Sequence, residues 1–142
     1  MRNKFVIRLM SLIPCILLGL VSYQWFTDPA TTALGFGIDY EAMSNHGQNS
    51  LFRDFTAFFA ASSLFCLFAF FTFRSSWLLA AGLIYLFALG FNVYHVIYLG
   101  GEVQTQLFVE VVLSVWILGT ALLMRSAANS KPVVKEVTVD TE

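Results

Sequence analysis

A few polar residues inside long apolar stretches carry most of the chemistry that this sequence offers. Asn92 and His95 stand three residues apart in one stretch, and Gln106, Glu110 and Ser114 follow at intervals of four in the next. Both spacings place the side chains on a single face of a helix. Because polar groups are costly in hydrocarbon, such a face turns toward neighbouring helices or a wet cavity.

Arg53 and Asp54 stand at the start of another apolar stretch and complete the candidate site. The Glu110 carboxylate is expected to take up a proton or to find a cation, and we expect Arg53 to be that cation. Asp54 or Glu110 would orient His95, whose imidazole is the side chain that changes charge near neutral pH. The five members of the candidate site are Arg53, Asp54, Asn92, His95 and Glu110.

This candidate site has two interpretations. It is either an outward-opening pocket that binds a small ligand or moves a proton, or a polar clamp that fixes the packing of helices. Metal ligation is not expected, because His46 is the only other imidazole and lies in a polar loop. No residue is assigned a catalytic role.

Four hydrophobic segments must position these side chains. The chain is 58% hydrophobic and 12% charged, whereas soluble domains average about 25% charged residues. Each segment has about 20 residues, which is enough to cross a hydrocarbon core of about 30 Å. The predicted helices span residues 5–26, 54–73, 76–99 and 104–124, with short helical turns at 30–35 and 40–43 in the loop between the first two.

The sequence therefore predicts an all-α fold, a polytopic membrane four-helix bundle over residues 1–125, with a disordered cytoplasmic tail over residues 126–142. Seven of the eight Lys and Arg residues fall at the chain ends or in the turn at Arg74. The positive-inside rule then makes both termini cytoplasmic and places the candidate site near the outer surface. We expect the helices to contact the lipid bilayer. Nucleic acid is not an expected partner, because the chain has no basic, aromatic-rich patch.

Other functional motifs are absent from the sequence. It contains no P-loop and no nucleophile motif, and Gly35-Phe36-Gly37 lacks the remaining glycine of a dinucleotide fingerprint. Cys15 and Cys66 lie in apolar segments, where a thiol behaves as a small hydrophobic group. A disulfide between them requires the first two long helices to pack with these residues facing each other.

A set of loose markers runs through residues 9–124. The first helix ends in Trp25-Phe26, Pro29 and Gly35 follow, and Arg53 starts the second of the long helices. In this pattern the chain resembles the small four-helix DoxX-like membrane proteins. The resemblance implies a multi-pass protein of the bacterial inner membrane, and some relatives are linked to quinone-coupled sulfur oxidation or oxidative-stress complexes.

Three functional hypotheses follow. The favoured one is a small binding or accessory membrane protein, with no enzymatic function assigned to it, that uses the candidate site. The second is a membrane oxidoreductase subunit that docks a quinone among the Phe-rich helix of residues 54–73, Tyr94 and His95. The third is a purely structural partner of other membrane subunits.

Overall fold

The computed structural model describes residues 3–129 and contains no strand within them. Its helices are α1 (Lys4–Thr27), α2 (Pro29–Gly35), α3 (Asn45–Thr72), α4 (Ser75–Tyr98) and α5 (Thr105–Asn129). All but the short α2 are long and apolar enough to cross a membrane. The prediction of an all-helical, multi-pass architecture is confirmed at this level.

The largest difference from the predicted boundaries is at the start of α3, which begins at Asn45 and not at residue 54. Ser44 caps the helix by accepting a hydrogen bond from the Gly47 amide. The Gln48 side chain donates to the Tyr40 carbonyl at 3.0 Å and fixes the first turn. These local hydrogen bonds sustain a helix in a polar segment that has no apolar periodicity.

The other boundaries differ less. The turn predicted at 30–35 is α2, which Asp28 caps by accepting from the Thr31 amide, whereas residues 40–43 form a turn without helix. Helix α5 continues to Asn129, so the first four residues of the predicted tail are helical. The rest of that tail, residues 130–142, lies outside the described residues.

The four long helices pack as a ring in the order α1, α3, α4, α5, with the α1–α3 and α4–α5 pairs making the most extensive contacts. Helix α1 buries one stripe at helical spacing: Ile7, Ser11, Pro14, Cys15, Leu18, Ser22 and Trp25. Hydroxyl groups link the first pair, since Ser22 donates to the Thr56 carbonyl and Ser63 donates to the Cys15 carbonyl. Such bonds are a usual means of joining helices in lipid.

One half of the bundle, here named the closed half, contains the start of α1 and the end of α5. It comprises residues 4–17, 60–72, 75–85 and 114–129. Leu78, Ala81, Ile117 and Met124 are fully buried there. Cys15 and Cys66 are also buried in this half, and both thiols are free. The chain ends described by the structure thus lie at the well-packed end of the bundle.

The opposite half is here named the open half and comprises residues 18–27, 45–59, 86–98 and 105–113, together with α2. Helix α4 buries no side chain after Tyr85, and α5 buries none before Ser114. Over these residues α4 and α5 separate from the other pair of helices. The sequence-predicted site residues all lie in this half.

Candidate binding cavity

A cavity of about 1110 Å³ occupies the open half, between the α1–α3 and α4–α5 pairs. Its inner end is lined by Leu18, Phe59, Tyr85 and Leu113, one from each of the four long helices. Its outer end is lined by Asp54 and by residues 104–106. Asp54 is well exposed, so the cavity reaches the protein surface at this end.

Asn92 and Glu110 form the polar centre of the cavity. The Asn92 amide nitrogen donates to Glu110 Oε2 at 3.2 Å, across the α4–α5 interface. Both residues are half-buried and both line the cavity. The spacing argument therefore correctly brought these two predicted site residues together.

The expected Arg53–Glu110 ion pair is wrong. Arg53 Nε instead lies 2.8 Å from Asp54 Oδ1, and both side chains are more than 60% exposed. Two adjacent residues of α3 are close enough to pair in solvent, whereas reaching Glu110 would require Arg53 to enter the cavity. This is the only ion pair within residues 3–129.

His95 lies away from the other members of the predicted site. Its side chain is exposed and its ring packs against Gly101, in the connection between α4 and α5. Neither Asp54 nor Glu110 accepts a hydrogen bond from it, so the prediction that a carboxylate orients this imidazole is wrong. Although His95 and Asn92 are three residues apart, only Asn92 lines the cavity.

The outer end of the cavity is roofed by residues 35–38, which follow α2. Gln106 of α5 donates from its side-chain nitrogen to the Gly35 carbonyl at 2.8 Å. Phe36 inserts below, with its ring 5.7 Å from Trp25 and 5.8 Å from Phe55. This segment therefore bridges α5 and the α1–α3 pair across the outer end of the cavity.

An aromatic wall completes the cavity. Phe55, Phe58 and Phe59 come from α3, and the Phe58 ring meets the Tyr85 ring edge-on at 5.4 Å. Tyr85 is 2% exposed and closes the inner end. Several phenylalanines of α3 therefore face the cavity, while others, such as Phe71, are exposed on the bundle surface.

Two contributions to the cavity were missed by sequence reasoning. The roof at Phe36 carried no signal beyond its flanking glycines, of which Gly37 adopts a positive φ of 72°. The phenylalanines of the cavity wall are not distinguishable by composition from those facing outward. For Gln106, the spacing to Glu110 was the signal, but its bond to Gly35 joins segments 71 positions apart.

The cavity walls have no arrangement typical of a resident metal. Within the described residues, no group of three or more His, Cys, Asp and Glu side chains is placed to hold a metal ion. The cavity is instead a mostly apolar space with a few convergent polar groups, which is typical of a small-molecule site.

Comparison of this chain with protein-family models, with curated proteins and with solved structures finds no match.

Proposed function

We propose that this protein is a multi-pass membrane protein that binds an amphipathic small molecule in the cavity of the open half. The observation that carries the proposal is the cavity itself, which combines a volume of about 1110 Å³ with a graded lining. Drug-sized ligands occupy pockets of roughly 300–1,000 Å³. The cavity is therefore large enough for such a molecule or for part of a lipid.

The grading of the walls defines how the ligand lies. Leu18, Phe59 and Leu113 would contact its apolar body at the inner end, and Asn92 and Glu110 would contact its polar group closer to the outer end. A purely apolar ligand would displace water from the half-buried Glu110 carboxylate and leave it with only the Asn92 amide as a partner. An amphipathic molecule satisfies both parts of the lining.

The membrane and its orientation are part of the proposal. The positive-inside rule makes both termini cytoplasmic and turns the open half outward, and the resemblance to DoxX-like proteins favours the bacterial inner membrane. Lys4 and Arg8 support this orientation, because both lie over the Phe73 ring, at 5.9 and 5.4 Å, at the closed end. The ligand would then enter from the extracytoplasmic side or its lipid leaflet.

A structural role is the second candidate function. The hydrogen bond between Asn92 and Glu110 joins two helices, which is what a clamp within a larger membrane complex would require. The hypothesis that a quinone docks beside Tyr94 and His95 has less support, because neither residue lines the cavity. A quinone remains one of the amphipathic molecules that the cavity is large enough to hold.

Photolabelling in membrane vesicles tests the binding proposal. A long-chain alcohol carrying a diazirine is titrated, irradiated, and mapped by mass spectrometry of the labelled peptides. We expect saturable labelling of cavity-lining positions such as Glu110. The variant Ala88→Trp, which places an indole ring inside the cavity, should reduce this labelling.

Leu86→Trp is the matched control, because it adds the same ring on the same helix at a position that is 44% exposed and does not line the cavity. It should leave labelling unchanged. Labelling that never saturates, or that Ala88→Trp and Leu86→Trp affect equally, would show that the probe reports only the surrounding lipid. The binding proposal would then be rejected.

A further inference from the structure

We propose that the ligand of this cavity is an amphipathic cation, whose charge lies against Glu110 and whose apolar body lies against the aromatic wall. This inference rests on the proposed binding function and assigns its ligand class. It follows from three properties of the cavity: the charge of its lining, the hydrogen-bonding state of its amides, and the residues of its wall.

The charge of the lining is entirely acidic. Asp54 and Glu110 line the cavity, and no Lys, Arg or His is among the described residues that line it. Asp54 already has a cation, because Arg53 holds it at 2.8 Å on the outer surface. The Glu110 carboxylate receives only a neutral amide donor, Asn92, at 3.2 Å. One half-buried carboxylate is therefore left without a cation from residues 3–129.

A carboxylate removed from water either takes up a proton or associates with a positive charge. In the effective dielectric of a protein, two unit charges at contact distance attract by several times more than they do in water. A cationic ligand supplies this missing partner. An anionic ligand would be repelled by Glu110 and would find no basic side chain in the cavity lining.

Two amides of the cavity lining, those of Asn92 and Gln106, also favour a cation. Asn92 donates through its nitrogen to Glu110, and Gln106 donates through its nitrogen to the Gly35 carbonyl. Their carbonyl oxygens accept no hydrogen bond within residues 3–129. Each of these amides therefore offers the cavity an acceptor oxygen, which suits a positively charged group, while one N–H of its nitrogen is already engaged within the protein.

The aromatic wall supplies the rest of the site. Phe58 and Tyr85 lie edge to face at 5.4 Å, and Phe55 and Phe59 extend the same wall. Faces of aromatic rings carry negative potential and attract a nearby cation. A lipophilic cation can therefore bury an apolar or aromatic body here without losing all stabilisation of its charge.

Two probes of nearly equal shape and opposite charge test the inference. Tetraphenylphosphonium and tetraphenylborate are each measured by equilibrium dialysis against the full chain in maltoside micelles, with protein-free micelles subtracted. We expect saturable binding of tetraphenylphosphonium and binding of tetraphenylborate that is at least about tenfold weaker. Binding of the cation is also expected to fall in Ala88→Trp.

Glu110→Gln isolates the contribution of the charge, since glutamine keeps the shape and can still accept from Asn92. It should weaken tetraphenylphosphonium binding about tenfold, whereas Glu110→Asp should retain the preference for the cation. Glu102→Gln is the matched control, because it removes one acid from the exposed connection between α4 and α5, outside the cavity lining. It should leave binding unchanged.

The outcomes separate this inference from the function on which it rests. Equal binding of the two probes, or equal cation binding by wild type and Glu110→Gln, overturns the cationic ligand while saturable photolabelling of the cavity still supports a binding protein. Absence of both saturable photolabelling and probe binding rejects the two together. Loss of cation binding in Glu110→Gln alone, with Glu102→Gln and Glu110→Asp unaffected, supports the inference.

Discussion

The closed and open halves of the bundle are built from the same helices but have opposite properties. In the closed half, α4 and α5 meet through small residues, and a Cβ added at Gly82 would lie 2.5 Å from Leu118 Cδ2. In the open half, Gly90 of the same helix has no neighbour within 4 Å of such a Cβ. Ala88 and Asn92 of this helix line the cavity, so α4 packs tightly at one end and borders a cavity at the other.

The difference shows how a small bundle of apolar helices can combine close packing at one end with a cavity at the other. In lipid, helix association depends on close packing and interhelical hydrogen bonds more than on removing apolar surface from water. The closed half supplies such packing with Ala81, Gly82 and Ala121, which are all buried. In the open half, α4 and α5 do not pack closely against the other pair of helices. This half can therefore hold polar groups such as Glu110, which would disrupt a packed interface.

The largest effect should come from overfilling the closed half. Gly82→Leu is expected to lower the free energy of unfolding by about 3 kcal/mol, because Leu118 and Ile117 already occupy the space beside Gly82. Unfolding by sodium dodecyl sulfate in mixed micelles, followed by circular dichroism, measures the change.

The control for this substitution is Gly90→Leu, in the open half of the same helix. It should change stability by less than about 0.5 kcal/mol, because nothing lies within 4 Å of the added Cβ. Equal destabilisation by the two variants would contradict the close packing of α4 against α5 at Gly82.

A smaller effect is expected from emptying the closed half. Leu78 is fully buried, and Leu78→Ala should cost about 2 kcal/mol, mainly for the cavity that it leaves. Leu86→Ala makes the same change at a position that is 44% exposed, where lipid can refill the space. The same unfolding assay should show at least a threefold smaller loss for Leu86→Ala, and comparable losses would contradict the difference in packing between these two positions of α4.

Much of the fold was predictable from the sequence, because hydrophobic length alone specifies four helices that can cross a bilayer. The ends of these helices were less predictable. Helix α3 starts at Asn45 through a cap at Ser44 and the bond of Gln48 to Tyr40, and such local hydrogen bonds leave no trace in hydropathy. Helix propensity in a polar segment is weak until a cap and a tertiary contact support it.

The candidate site was predictable only where its residues share one helical face or two adjacent ones. Spacing indicated Asn92 and Glu110, which do form a hydrogen bond. The predicted pairing of Arg53 with Glu110 was wrong, because an exposed Arg53 pairs with its neighbour Asp54 more easily than with a distant acid. The roof at Phe36 depends on contacts between distant segments, which periodicity within one helix does not report.

Within the open half, a substitution at Asn92 distinguishes a ligand site from a polar clamp. Asn92→Leu removes the donor to Glu110 but conserves the volume of the side chain. If the cavity is a site, the loss of stability should stay below about 1 kcal/mol, because the half-buried Glu110 keeps access to water within the cavity. Binding of tetraphenylphosphonium should weaken at the same time.

The two readouts separate the alternatives for Asn92. A loss of 2 kcal/mol or more, together with unchanged binding, would show that the hydrogen bond serves mainly to hold α4 against α5. A conservative control is Asn92→Gln, which retains an amide on the same helical face and should preserve more of the binding than Asn92→Leu.

The smallest effect is expected at His95, which like Arg53 is a predicted site residue outside the cavity lining. Its exposed ring contacts Gly101 and makes no hydrogen bond within the described residues. His95→Ala should therefore change the free energy of unfolding by less than about 0.5 kcal/mol and the dissociation constant of the cation by less than about twofold. Glu110→Gln, measured beside it, should weaken binding about tenfold. A loss of binding in His95→Ala equal to that in Glu110→Gln would indicate that the ligand also contacts His95. The binding site would then extend from the cavity to the connection between α4 and α5, which contains Gly100 and Gly101.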